Sequence, residues 1–212
     1  MLAAADAVLV DLDGTLVDST APVRRVWQEF ARRHGLDADD VERFAHGRPS
    51  RESVRALTPD ADLEAESSTI EEAEIADTAG VVALPGAAQL LSGDRPLAIV
   101  TSCSTALATV RLKAASLKIP EVLVSSDGLE RGKPDPTCFL IAARRLGVDP
   151  ARCVVIEDAP AGILAGRAAG RRSESTSDPA YRVRGRQRRR ARRGSPIRRP
   201  PSGRSPAPSS TR

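Results

Sequence analysis

Four short apolar runs constrain the fold more than any other feature of the chain. They are Ala7–Leu12 (AVLVDL), Leu97–Thr101 (LAIVT), Glu121–Ser125 (EVLVS) and Cys153–Ile156 (CVVI). Each is too short for an ordinary helix and rich in Val, Leu or Ile, so each reads as a buried strand. Stretches with helical spacing follow them, at residues 106–115, 136–146 and 161–169, and a shorter one lies at 87–91. Strands alternating with helices predict an α/β fold, a parallel sheet with helices on both faces. In such sheets ligands bind beyond the carboxyl ends of the strands. Polar segments, DLDGT, TSCS and EDAP, sit just after three of the runs. This topology brings all three to one edge of the sheet.

The block between the first and second runs is of another kind. Pro22–His34 places Val23, Val26, Trp27 and Phe30 at helical spacing, with Pro22 suited to a first turn and Gly35 to a C-cap. Residues 38–45, 50–57 and 62–79 are acidic, Ala-rich and helical in pattern. No strand is evident between 18 and 80. An all-helical insert over residues 18–80 is therefore expected, dividing the sheet domain into residues 1–17 and 81–170.

Composition narrows the class. Aromatic residues are 2% of the chain against 41% hydrophobic, so the core must be built from Ala, Val, Leu and Ile. No run approaches the roughly 18 apolar residues of a membrane span. The first apolar stretch has no basic flank and runs straight into Asp11, so it reads as a strand rather than a leader. Cys103, Cys138 and Cys153 are odd in number and show no CxxC spacing, which fits free thiols and a cytoplasmic location. Residues 171–212 hold 14 of the 32 Lys and Arg and two of the 28 acids, a net +12, which leaves residues 1–170 at −8. An acidic body thus carries a basic tail.

The polar segments hold groups suited to phosphoryl transfer. In DLDGTLVDS, Asp11 and Asp13 are one residue apart at a strand end, where they share a face. Gly14 lets the backbone turn at once. One carboxylate can attack phosphorus to form an acyl phosphate. The other can give a proton to the leaving oxygen and later take one from water. Thr101 and Ser102 put hydroxyls and backbone N–H groups at a strand-to-helix turn, suited to a phosphoryl oxygen or simply to capping the helix. In RGKPDP, Lys133 offers an ammonium to offset the charge of nucleophile and phosphate, and it is one of only three lysines, with Lys113 and Lys118. Glu157-Asp158 follow the last clear strand. Oxygen ligands beside a phosphate imply Mg²⁺, whereas Asp158 alone would also serve as an N-cap.

In this order the four segments resemble the four motifs of the haloacid dehalogenase (HAD) superfamily, over roughly residues 7–170. The resemblance implies a Rossmannoid core and, over residues 18–80, a small helical cap that closes on the substrate. It makes Asp11 the nucleophile and a metal ligand, and Asp13 the general acid/base, whose backbone carbonyl also binds Mg²⁺. It further makes Thr101, with the Ser102 amide, and Lys133 phosphate-binding groups, and Glu157 and Asp158 metal ligands. Dehalogenases lack the second Asp, so Asp13 argues for phosphoryl transfer. Phosphonatases use a cap lysine, and residues 18–80 contain none. β-Phosphoglucomutases carry a His where this chain has Val23. HGRPS, GVVALPGA, TSCS and RGKPDP look closest to the sugar- and polyol-phosphate phosphatases, such as those for glycerol phosphate and 2-deoxyglucose 6-phosphate. A Mg²⁺-dependent phosphatase acting on a small phosphorylated substrate as a monomer is the expectation. His46, Gly47 and Arg48 are candidates to touch that substrate from the cap, or else form an exposed helix-end turn.

The tail departs from this pattern. Where the family continues with an apolar strand, this chain has Gly170-Arg171-Arg172-Ser173-Glu174. Residues 171–212 show no apolar periodicity and read as disordered. With 29 Arg against three Lys in the whole chain, a shifted reading frame in a GC-rich gene is one origin of such a tail. A nucleic-acid-binding arm is the alternative, disfavoured because Tyr181 is its only aromatic. An inactive or destabilised body with an incomplete core is a third reading.

Overall fold

The computed structural model describes residues 5–46 and 48–170 in full and the backbone of residues 172–175. Five parallel strands form the main sheet: β1 (Ala7–Val10), β4 (Leu97–Val100), β5 (Val122–Val124), β6 (Cys153–Glu157) and β7 (Arg172–Ser175), in the order β5-β4-β1-β6-β7. β1 lies at the centre, with Val8 opposite Leu97 on one side and Val154 on the other. Its alternating side chains feed two cores. Ala7 and Leu9 pack with Val100, Val155, Phe139 and Ala165, toward α7 (Thr137–Arg145) and α8 (Pro160–Ala168). Val8 and Val10 pack with Ile99, Ile156 and Leu112, toward α5 (Ala87–Leu91) and α6 (Thr105–Ala114). Burial on both faces is why these strands read as unbroken apolar runs.

Four helices form a separate layer: α1 (Thr20–His34), α2 (Ala38–Ala45), α3 (Ser50–Leu57) and α4 (Leu63–Ala76). Their own core joins Trp27, Phe30, Val41, Val54 and Ile70, with Trp27 and Phe30 edge to face at 5.4 Å. Gly35 ends α1 in the left-handed conformation at φ 66°. The chain leaves the sheet domain through β2 (Val17–Asp18) and returns through β3 (Val82–Ala83). These two crossings pair antiparallel, Val17 with Ala83 and Asp18 with Val82, so one short ribbon joins the two layers. No described helix is long and apolar enough to cross a membrane.

One expectation needs correcting. The sequence pattern ends at Gly170, yet the backbone of Arg172–Ser175 continues as β7, pairing Val154 with Arg172 through Glu157 with Ser175. The reason is the ladder: β6 is wholly buried, and its outer N–H and C=O groups need partners that any backbone can supply. Residues 176–212, the rest of the basic tail, lie outside the described residues, as does Gly47.

Candidate active site

The carboxyl ends of β1, β4 and β6 meet the helical layer around a cleft of about 900 Å³. Asp11 follows β1 directly and is buried, with its N–H donating to the Ile156 carbonyl at 2.9 Å. Lys133 reaches it from the loop before α7. The Lys133 Nζ lies 2.6 Å from Asp11 Oδ1 and 2.7 Å from Glu157 Oε2, and donates to the Val100 carbonyl at 3.0 Å. All three donor positions of the ammonium are thus aimed at the ends of β1, β6 and β4. Burial pulls the lysine down, but Asp11 and Glu157 together hold it above the usual lysine range. The Asp11 carboxyl is pushed well up, first by burial and then by Glu157, against the pull of Lys133.

Glu157 and Asp158 are adjacent but face different ways. Glu157 is 1% exposed; one oxygen meets Lys133 and the other accepts from the Ala159 N–H at 3.2 Å. Asp158 points into the cleft. Its Oδ1 is buried with no hydrogen-bond partner among the described residues, and its Oδ2 lies 3.5 Å from His46 Nε2. The Asp158 bond raises the His46 pKa above the ordinary value, against partial burial. Ligand oxygens of Asp11, Glu157 and Asp158 all lie within 4.8 Å of one another. Three carboxylates cluster here, only two of them paired with the Lys133 ammonium, and one Asp158 oxygen has no partner among the described residues. An all-oxygen set short of positive charge fits a hard divalent cation. Gly14, at φ +78°, keeps the space open: a Cβ there would sit 2.1 Å from Asp158 Oδ2.

Asp13 is held on both oxygens. Ser19 donates to Oδ1 at 2.6 Å, while Cys103 Sγ donates to Oδ2 at 3.0 Å and Arg111 Nη1 meets it at 2.8 Å. Burial, then the Asp13 charge, push the Cys103 thiol well above its ordinary value, so it is a neutral donor. Arg111 also meets Glu74 of α4 at 3.2 Å. Burial pushes the Glu74 carboxyl up to about 6 against the pull of Arg111.

Thr101 is buried at the end of β4, where its Oγ1 accepts from the Cys103 N–H at 3.1 Å, a bond that leaves its O–H able to donate. Ser102 lines the cleft beside it. From the helical layer His46 and Arg48 both line the cleft, with the Arg48 guanidinium 4.6 Å over the Phe44 ring. Nine of the ten sequence-derived candidates therefore border one cavity, and the tenth, Gly47, lies outside the described residues. Sequence reasoning missed Ser19, Glu74, Cys103 and Arg111. The available signal was Arg111 four residues after Leu107 and Glu74 four after Ile70, each on a buried helix stripe.

The comparisons with known proteins agree with this geometry. A haloacid dehalogenase-like hydrolase model matches residues 5–170. Hexitol phosphatase A of Escherichia coli is 47% identical over 179 residues, covering 81% of this chain and 83% of that protein. Fructose-1-phosphate phosphatase YqaB of Escherichia coli is 33% identical, covering 77% of this chain and 92% of that protein. A solved hydrolase from Pseudomonas syringae is 30% identical at a TM-score of 0.71, covering 80% of this chain and 82% of that one. By fold, by site and by these likenesses, the chain belongs to the haloacid dehalogenase-like hydrolases.

Proposed function

We propose that the chain is a Mg²⁺-dependent phosphomonoesterase that hydrolyses a small sugar or polyol phosphate through an aspartyl-phosphate at Asp11. One observation carries this reading: a buried Asp11 fixed by Lys133 at 2.6 Å, beside an unsatisfied Asp158 oxygen. The cation would be held by Asp11, Asp158 and the Asp13 backbone carbonyl. When bound it supplies positive charge that opposes the burial of Asp11 and neutralises phosphoryl oxygens. Glu157 serves chiefly through Lys133, since both its oxygens are engaged.

In the first step the Asp11 carboxylate attacks phosphorus, and the bond to the substrate oxygen breaks. Asp13 gives its proton to that oxygen as it leaves. Asp13, now a carboxylate, then takes a proton from water as the water oxygen attacks the phosphorus. The bond to Asp11 breaks and phosphate departs. The Lys133 charge offsets that of the phosphoryl group while its three N–H groups hold Asp11, Glu157 and the Val100 carbonyl, and the hydroxyl of Thr101 faces the phosphoryl oxygens. Thr20, Ser67, Ser68 and Glu71 line the cleft from the helical layer and offer hydrogen bonds to a polyhydroxylated leaving group. The likeness to the hexitol and fructose-1-phosphate phosphatases supports that substrate class.

The test is phosphate release from a panel of hexitol, hexose and glycerol phosphates with Mg²⁺. Asp11→Asn should abolish turnover, and chelation of the metal should stop it reversibly. Equal turnover by wild type and Asp11→Asn would overturn the nucleophile, and full activity in chelator would overturn the metal.

A further inference from the structure

The contacts of one buried arginine go beyond this scheme. Arg111 lies on α6, 4% exposed, on the stripe that otherwise buries Leu107, Ala108 and Leu112. An apolar side chain would fill that position without the cost of desolvating a guanidinium. The charge instead bridges two layers of the fold. Nη1 meets Asp13 Oδ2 at 2.8 Å and Cys103 Sγ at 3.0 Å, while Nη2 meets Glu74 Oε2 at 3.2 Å. Glu74 belongs to α4 and is 5% exposed.

We propose that Arg111 is a positioning residue for Asp13, anchored through Glu74 to the helical layer, so that the acid–base carboxyl is fully oriented only when that layer is seated on the sheet. This rests on the reading of Asp13 as the acid–base group. A carboxyl that must deliver a proton to one oxygen and take one from water at the same place needs a fixed rotamer. Ser19 fixes Oδ1 from the β2 crossing, and the planar fork of Arg111 fixes Oδ2. Because β2 and β3 form one narrow ribbon between the layers, lifting the helices would take Glu74 from Arg111 while leaving Asp13 attached to β1. The guanidinium would then lose its second anchor. Proton transfer would thereby be tied to closure, when water is excluded.

The experiment uses the full chain with Mg²⁺, a hexitol phosphate and p-nitrophenyl phosphate. The variants are Arg111→Lys, Arg111→Met, Glu74→Gln and the doubly neutral Glu74→Gln/Arg111→Met, which leaves no orphaned buried charge if the single variant fails to fold. Alkyl phosphates need a proton on the leaving oxygen, whereas nitrophenolate leaves without one. The doubly neutral variant should lose about 10- to 100-fold in kcat on the hexitol phosphate, with KM within about 2-fold of wild type. Its first-turnover burst of nitrophenolate should fall by less than about 3-fold. Arg111→Lys should recover part of the lost kcat, because charge returns without the fork. Unchanged kcat, a rise confined to KM, or equal losses in turnover and burst would each overturn the proposal. Asp13→Asn separates the two readings. Wild-type turnover by Asp13→Asn would sink the acid–base assignment itself. An inactive Asp13→Asn beside an unaffected doubly neutral variant would sink the role of Arg111 alone.

Discussion

Gly162 offers a direct test of how tightly Glu157 is tied. It lies inside α8, where replacing Gly by Ala normally stabilises a helix by about 1 kcal/mol. Here a Cβ would lie 1.9 Å from Glu157 Oε2 and 2.1 Å from its Cδ. Glu157 is 1% exposed and bonded at both oxygens, so it cannot swing aside freely. Moving it forfeits a charge-assisted bond to Lys133, worth about 1.5–3 kcal/mol, and one to a backbone N–H, worth about 1 kcal/mol. Set against the helix gain, Gly162→Ala should destabilise by about 1.5–3 kcal/mol. For a domain of this size that lowers Tm by about 3–12 °C. Gly166 is the control on the same helix: its Cβ would meet Val155 at 3.1–3.4 Å, a contact that small adjustments can relieve. Urea unfolding of the three proteins, followed by circular dichroism, measures the difference. kcat should fall with stability in Gly162→Ala alone, because Lys133 loses one of its three anchors. A Gly162→Ala protein as stable and active as wild type would show that Glu157 has room and that its tie to Lys133 does not set the site.

Two further outcomes follow from the same geometry. Gly14→Ala places a Cβ 2.1 Å from Asp158 Oδ2 at a φ of +78°, so half-saturation by Mg²⁺ in the activity assay should rise by about 10-fold or more; an unchanged metal requirement would refute the cradle. Glu74 sits at about 6 in the folded state against 4.5 ordinarily, so the native state holds its proton more tightly than the unfolded chain. Its favourable contribution is therefore complete below about pH 4.5 and is lost as pH rises through about 6, by about 2 kcal/mol in all. The stability of wild type relative to Glu74→Gln should fall by that amount across the window in urea titrations, and a flat difference would contradict the burial of this carboxyl.

The parts of the fold legible in sequence are those with a clear period. β1, β4 and β6 are apolar because they are covered on both faces, and α2 and α3 carry residues 38–45 and 50–57 as their pattern predicts. The two-residue strands β2 and β3 are too short to have a period at all. β7 has a polar sequence, and only the ladder on β6 accounts for it. Within the site, Lys133 stood out because the body is so poor in lysine. Arg111 and Glu74 did not, because a charge on a helix normally reads as solvated, and only their tertiary partners reveal otherwise. The different directions of Glu157, toward Lys133, and Asp158, toward His46, were readable in principle, since neighbours at a strand end point to opposite faces.

Trp27 is the only tryptophan in the chain. It is 3% exposed and lines the cleft from α1, while the Glu74 that meets Arg111 lines it from α4. The protein thus carries one indole, at the seam between its two layers, which can be excited selectively over tyrosine. Parting of the layers would wet the ring. Its emission maximum and quenching by iodide therefore report opening and closing during turnover, without any introduced label.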